Sequence, residues 1–69
     1  MQYAVVIEQA DGNYSAYAPD VPGCIATGAT IEEVTQRFRE ALAFHLEGLR
    51  EDGDPIPQPT TRLVYIDAA

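Results

Sequence analysis

The sequence predicts an α+β fold in which four strands and one long helix follow in the order β-β-β-α-β. Three observations predict it: β-branched runs at both ends of the chain, a hairpin signal near the start, and a capped helical pattern over residues 30–52. Three antiparallel strands followed by a right-handed helical crossover place the last strand beside the first. We therefore expect a mixed four-stranded sheet of order 3-2-1-4 with the helix on one face.

The strands are indicated by their composition and by the turns that separate them. Residues 2–9 are rich in β-branched and aromatic side chains and form the first predicted strand. Asp11-Gly12 favours a type I′ hairpin turn, which needs positive φ at both central residues, and leads into a second strand over residues 13–18. A short edge strand is predicted over residues 24–28. Residues 62–67 form the fourth predicted strand.

The helical pattern has its own start and stop signals. Thr30 and Glu33 have the spacing of a capping box, in which the Thr hydroxyl accepts the Glu amide and the Glu carboxylate accepts the Thr amide. Gly53 supplies the left-handed residue on which helices end. At 100° per residue one face is apolar and is expected to pack on the sheet; it consists of Ile31, Val34, Phe38, Ala41, Leu42, His45, Leu46 and Leu49.

The opposite face of the helix carries negative charge and one aromatic ring. Four glutamates fall within about 40° of one another on this face: Glu33, Glu40, Glu47 and Glu51. Phe44 lies beside them, and an apolar ring with a charged rim is the composition of a small binding hot spot. These five residues are the predicted partner surface. An ordinary solvated face with one stray Phe, or a contact between identical chains, stays open as an alternative.

Size and charge limit the classes of function. The chain has 69 residues, with 11 acidic against four basic side chains and a formal net charge of −7. Such a charge repels phosphate backbones, so we expect no direct nucleic-acid binding and favour a basic protein partner. No signal peptide or membrane-length apolar run is present, which predicts a cytoplasmic protein. We expect residues 1–69 to form one domain, without a C-terminal DNA-binding domain.

A second subunit is predicted from the two central strands, which carry apolar side chains on both faces. One helix covers only one face of a sheet, and a domain of this size buries only about 60% of its chain surface. The single cysteine excludes an internal disulfide, and small domains without one often oligomerise. We therefore expect a homo-oligomer, most simply a dimer, that covers the second sheet face; the residues of this predicted oligomer face are Ala4, Val6, Val64 and Ile66.

No arrangement of residues predicts catalysis, a cofactor or a metal site. His45 lies in the apolar arc and is expected at the rim of the core, and Cys24 is expected to be a small buried residue rather than a reactive thiol. Glu8 and Asp67 end adjacent predicted strands and would begin a two-metal nuclease site, but the sheet-facing arc of the helix holds no carboxylate to complete it. A metal-dependent nuclease is therefore only a remote alternative.

Three blocks of the sequence resemble the HicB-like antitoxins: residues 17–24, residues 28–33 and the Pro-rich strap over residues 53–59, which is expected to be extended. The residues that carry the resemblance are Pro19, Asp20, Pro22, Gly23, Cys24, Thr30, Glu33, Pro57 and Pro59. The resemblance implies a degenerate ribonuclease H-like fold without catalytic residues. It also implies a partner, a small basic HicA-like RNA-cleaving toxin whose active site the antitoxin masks. The alternative is an orphan homo-oligomeric domain with a structural or regulatory role and no toxin.

Overall fold

The structure, a computed structural model, describes residues 1–69 and contains three strands and one helix. β1 spans Val6–Ala10, β2 spans Asn13–Tyr17, β3 spans Ile25–Gly28, and α1 spans Ile31–Glu51. The strands form an antiparallel meander in which β2 is central and β1 and β3 are the edges. The predicted α+β class, with three antiparallel strands followed by one long helix, is confirmed.

Residues 62–67 do not form the predicted fourth strand, so the sheet of the single chain has three strands instead of the order 3-2-1-4. The four apolar side chains over residues 63–66 are between 52% and 96% exposed. The physical reason lies just before them, where Thr60 and Thr61 are hydrogen-bonded to Asp20 in the connection between β2 and β3. That anchor fixes residues 60 and 61 at the connection between β2 and β3, and the residues that follow do not pair with β1.

The hairpin and the strand boundaries also differ in detail from expectation. Ala10 pairs with Asn13, so Asp11-Gly12 is the predicted two-residue turn. Gly12 has φ of 76°, but Asp11 does not have positive φ, because no residue other than glycine does. The prediction of a type I′ turn is therefore wrong. β1 begins at Val6, four residues later than predicted, because its pairing with β2 starts there.

Both ends of the helix are capped. The Glu33 amide donates to Thr30 Oγ1 at 3.0 Å, as predicted, but the Glu33 carboxylate accepts from the Ala29 amide at 3.0 Å instead of the Thr30 amide. At the other end Gly53 has φ of 73°. The amides of Gly53 and Asp54 donate to Arg50 and Leu49 carbonyls, which is the Schellman pattern.

The core is small because the helix is longer than the sheet beneath it. Its buried side chains are Ala16, Ala18, Val21, Cys24, Val34 and Phe38. Of the predicted apolar arc only Val34 and Phe38 are fully buried; Ile31 is exposed, and the other five residues are half-buried. A helix of 21 residues is about 32 Å long, whereas a five-residue strand spans about 17 Å. The second half of α1 therefore extends past the sheet.

The start of the helix lies very close to the end of β3. A Cβ atom added to Gly28 would lie 2.7 Å from the Val34 amide nitrogen and 3.0 Å from its Cα. Both neighbouring atoms belong to the helix backbone, so no side-chain rotation relieves the contact. Gly28 therefore allows β3 and α1 to pack at this distance.

Candidate functional site

Four of the five residues of the predicted partner surface are exposed on α1. Phe44 is 81% exposed, and Glu40, Glu47 and Glu51 are exposed around it. We call these four residues the acidic stripe. Glu40 accepts a hydrogen bond from Gln36 Nε2 at 2.9 Å, and both side chains are exposed. The stripe lies mainly on the half of the helix that extends past the sheet.

Glu33 belongs to the helix start instead of the acidic stripe. It is half-buried, its Oε1 accepts the Ala29 amide, and the same oxygen lies 3.4 Å from Arg37 Nη2. The guanidinium of Arg37 also donates to the Thr27 carbonyl at 3.1 Å. The charge of Glu33 is therefore used within the chain, which a plot of helical angles does not reveal.

The predicted oligomer face is not assembled within one chain. Ala4 and Val6 are half-buried near the start of β1, whereas Val64 and Ile66 are exposed in the tail, which we define as residues 62–69. The strand register nevertheless places one apolar row on the face opposite the helix: Val6, Tyr17 and Ile25. The neighbouring row on that face is polar and consists of Glu8, Ser15 and Thr27. The second face is therefore apolar at one end only.

Asp20 joins two distant parts of the sequence. Its Oδ2 accepts the amides of Thr60 and Thr61 at 3.0 and 2.9 Å, and its Oδ1 accepts their hydroxyls, both at 2.9 Å. The hydrogen bond from the Thr61 amide is the main reason that the pKa of Asp20 lies below its ordinary value of 3.8. Earlier in the same segment, the Pro57 carbonyl accepts a hydrogen bond from the Tyr3 hydroxyl. These contacts hold the strap, residues 53–59, across the start of β1.

The other residues of the motif around Asp20 shape the turn that presents it. Ala18 and Val21 are buried, and the Val21 amide donates to the Ala18 carbonyl at 3.0 Å. Gly23 has φ of 83°, and the Cys24 amide returns to the Val21 carbonyl at 3.4 Å. Cys24 is buried, as predicted, and burial raises the pKa of its thiol. The motif therefore positions one carboxylate toward the end of the strap.

A groove that the sequence did not predict lies between β1 and α1. It has a volume of about 210 Å³ and is lined by Val5, Ile7, Thr35, Phe38, Arg39 and Leu42. We call it the β1 groove. Arg39 is its one charged lining residue, and its other walls are mainly apolar. The signal that could have revealed it is the apolar pair Val5 and Ile7, which lie two positions apart and so share one face of an extended chain.

The structure places no metal-binding cluster among its acidic side chains. No group of three or more His, Cys, Asp or Glu residues has a geometry that could hold a metal ion. Glu8 and Asp67 are not brought to adjacent strand ends, because residues 62–67 do not join the sheet. His45 is half-buried on α1. No helix combines the length and the apolar character that crossing a membrane requires.

Comparisons with known proteins agree on one family. Residues 3–68 match the family described as the HicB-like antitoxin of bacterial toxin-antitoxin systems. A solved structure described as a HicA3 and HicB3 toxin-antitoxin complex contains a similar chain, with a TM-score of 0.74 and 32% identity. The similarity covers 87% of this chain and 70% of that chain. The observed arrangement of three strands and one helix is therefore shared with a protein of that complex.

Relatives in sequence have the same or greater length. A UPF0150 protein of Thermoplasma acidophilum is 30% identical over 69 residues, which cover 99% of this chain and all of that protein. A protein of Haemophilus phage HP1, described as an uncharacterized 14.9 kDa protein in the rep-hol intergenic region, is 37% identical over 67 residues. That match covers 97% of this chain and 50% of the phage protein, so the chain spans half the length of this relative.

Proposed function

Because the chain belongs to the HicB-like antitoxin family, we propose that it binds a small basic ribonuclease toxin of the HicA type and neutralises it by masking its active site. The observation that carries this proposal is the similarity to a chain of a solved HicA3 and HicB3 toxin-antitoxin complex. The excess of 11 acidic over four basic side chains supports the proposal, because it suits a basic partner. A toxin bound over its catalytic residues loses access to RNA.

The acidic stripe is the proposed contact surface for that toxin. Phe44 projects from it at 81% exposure, and a buried aromatic ring at the centre of an interface commonly dominates affinity. The exposed carboxylates of Glu40, Glu47 and Glu51 surround the ring and attract a basic surface over long distances. The ring is therefore assigned mainly to the lifetime of the complex and the carboxylates mainly to its rate of formation.

Affinity measurements with a basic ribonuclease encoded beside this chain test both assignments. Phe44→Ala should weaken binding by about 2 kcal/mol or more, which is roughly 30-fold in Kd. Ile31→Ala is the matched control, since Ile31 is also an exposed apolar residue of α1 but lies outside the acidic stripe. Growth rescue from the toxin should fall for Phe44→Ala alone. Equal loss in both variants would contradict the placement of the contact on the acidic stripe.

The charge of the stripe is tested separately through association rates. Glu40→Lys combined with Glu47→Lys should lower the association rate and reduce its dependence on salt. Asp11→Lys combined with Asp54→Lys changes the net charge equally but lies outside α1, and it should have the smaller effect. A toxin that binds all these variants as tightly as the parent, at low and high salt, would place the interface elsewhere. Failure to bind any neighbouring basic ribonuclease would contradict the antitoxin function itself.

The proposal includes the absence of enzymatic activity. Glu8 and Asp67 are the two carboxylates that the hypothesis of a two-metal nuclease would use. The fold does not place them at adjacent strand ends, because residues 62–67 do not join the sheet. The purified chain should not cleave RNA with magnesium or manganese, and Glu8→Ala and Asp67→Ala should leave toxin neutralisation unchanged. RNA cleavage that requires metal and disappears in either variant would overturn this part of the proposal.

A homo-oligomeric domain that acts without a toxin is the second candidate function. It is favoured by the exposed apolar side chains of residues 63–66 and by the row of Val6, Tyr17 and Ile25 on the sheet face opposite the helix. Both surfaces are available for contact between identical chains. This candidate predicts that the chain forms stable oligomers and binds no basic ribonuclease.

A further inference from the structure

The tail has the composition of a β-strand but no strand to pair with in its own chain. Residues 63–66 are Leu-Val-Tyr-Ile, a run of large apolar side chains with high β propensity. All four are exposed, with Tyr65 at 96% and Ile66 at 84%. Four consecutive exposed residues of this kind form an apolar segment that favours association, and pairing with another strand would remove them from water.

The outer edge of β1 is unpaired and could accept such a strand. β1 pairs with β2 on one side only, so the amides and carbonyls on its other side have no strand partner. The β1 groove lies beside this edge, beneath α1, and its walls include Val5, Ile7, Phe38 and Leu42. An added strand would extend the sheet under the helix and place its inward side chains in the groove.

The opposite edge of the sheet is less suited to an added strand. There Arg37 Nη1 donates to the Thr27 carbonyl, and the helix backbone lies against Gly28. The helix thus covers β3 closely and leaves β1 open. Of the two edges, β1 is therefore the one that can accept a strand.

The tail begins at the connection between β2 and β3 and does not pair with the β1 edge of its own chain. The strap passes the start of β1, where Tyr3 contacts Pro57, and then reaches the connection between β2 and β3, where Asp20 holds Thr60 and Thr61. Residue 62 therefore follows directly on an anchor at the connection between β2 and β3. To pair with the β1 edge of its own chain, the tail would have to turn back from this anchor. A second copy presents the same edge without that constraint.

We propose that residues 62–67 of one copy pair with the β1 edge of a second copy and fill its β1 groove, so that two chains exchange their tails. Alternate side chains of a strand point to opposite faces, so one apolar pair of the tail enters the groove. The other pair lies on the far face, beside the row that begins with Val6. The exchange accounts for both sets of apolar side chains, and a two-fold axis closes it as a dimer. This inference concerns contact between identical chains and stands apart from the toxin.

Light scattering at micromolar concentration is the first test. The full chain should have the mass of a dimer, and a chain that ends at Thr61, which keeps every contact with Asp20, should have the mass of a monomer. Val64→Asp combined with Tyr65→Asp should also give a monomer, because it places a charge on each face of the tail strand. Ala68→Asp combined with Ala69→Asp adds the same charge beyond the paired segment and should leave the dimer intact. All four tail positions used in the substitutions are exposed in the single chain, so its fold does not depend on them.

A mixing experiment identifies which chain receives the tail. Ile7→Asp blocks the groove but leaves the tail intact, whereas the chain ending at Thr61 has an intact groove but no tail. Each should be monomeric alone, and a mixture should form a one-to-one complex through a single tail and groove. Thr35→Trp, which fills the groove from the helix side, serves in place of Ile7→Asp if that variant does not fold.

Three outcomes would overturn the proposal. A dimer that persists in the chain ending at Thr61 would place the contact on the sheet face that carries Val6, Tyr17 and Ile25. A full-length monomer whose tail amides are protected from exchange would show that the tail returns to its own chain. A full-length monomer with an unprotected tail, whose β1 amides become protected only when a basic ribonuclease binds, would assign the groove to that partner.

Discussion

The two edges of the sheet differ although the same helix lies above both. At β3 the helix backbone approaches Gly28 so closely that a single methyl group would clash, and Arg37 closes the strand end through the Thr27 carbonyl. At β1 the helix stands away from the sheet and leaves a groove of about 210 Å³. The single helix therefore packs on β2 and β3 of this three-stranded sheet and leaves an open groove at β1.

The residue shared by the core and the β1 groove should show the largest effect. Phe38 is buried in the core and also forms a wall of the β1 groove. Phe38→Ala should lower the free energy of unfolding by about 3–5 kcal/mol, measured by chemical denaturation, because it removes a buried ring and leaves a cavity. This loss is comparable to the whole stability of a small domain, so an unfolded variant agrees with the expectation.

Phe44→Ala is the matched control for that substitution. Phe44 lies on the same helix but is 81% exposed, so the same change should alter stability by less than about 0.5 kcal/mol. Phe38→Leu keeps part of the core volume and should cost less than Phe38→Ala. Equal destabilisation by Phe38→Ala and Phe44→Ala would mean that burial does not separate the two faces of α1.

The tight edge is tested by Gly28→Ala. The new Cβ would lie 2.7 Å from the Val34 amide nitrogen, so either β3 or the first turn of α1 must shift. Such overpacking should lower the free energy of unfolding by about 1–3 kcal/mol. An unchanged midpoint of denaturation would show that the helix can move away from β3, and the contrast between the edges would then be one of degree.

Gly48→Ala should have a smaller effect of the opposite sign. Gly48 lies inside α1, and a Cβ added there meets no atom within 4 Å. Alanine loses less backbone entropy in a helix than glycine, so the variant should gain about 1 kcal/mol in the free energy of unfolding. A loss of stability or of self-association in this variant would reveal a close contact at Gly48 that the single chain does not make.

The sequence predicted what depends on neighbouring residues. The Thr30 cap, the Gly53 ending, the Asp11-Gly12 turn and the burial of Val34 and Phe38 follow from local spacing, and the structure has all of them. The exposed ring of Phe44 follows from the same helical spacing.

What the sequence could not predict depends on contacts between distant residues. Asp20 reaches Thr60 and Thr61 across 40 and 41 positions, and no local pattern identifies that pairing. Residues 62–67 have the composition of a strand, but composition does not determine which edge, or which chain, a strand joins. Glu33 shows the same limit, since helical angles do not reveal that its carboxylate accepts the Ala29 amide.

The smallest effect is expected where the tail leaves the domain, at the Asp20 carboxylate. Its hydrogen bonds, chiefly that from the Thr61 amide, lower its pKa in the folded chain below the ordinary value of 3.8. The folded chain therefore binds a proton at Asp20 less readily than the unfolded chain does. The stabilising contribution is complete at pH values above the ordinary pKa and is lost as the pH falls through the folded one.

Nuclear magnetic resonance can measure this contribution at the contact itself. The Thr61 amide proton, which donates to Asp20 Oδ2 at 2.9 Å, should titrate with a midpoint below 3.8. Asp20→Asn should remove that titration and free the tail, whereas Asp54→Asn, at an exposed carboxylate of the strap, should leave it unchanged. A midpoint at or above 3.8 would mean that Asp20 does not hold the strap in solution. The tail would then be free to reach the β1 edge of its own chain, and the argument that this edge is left for a second copy would fail.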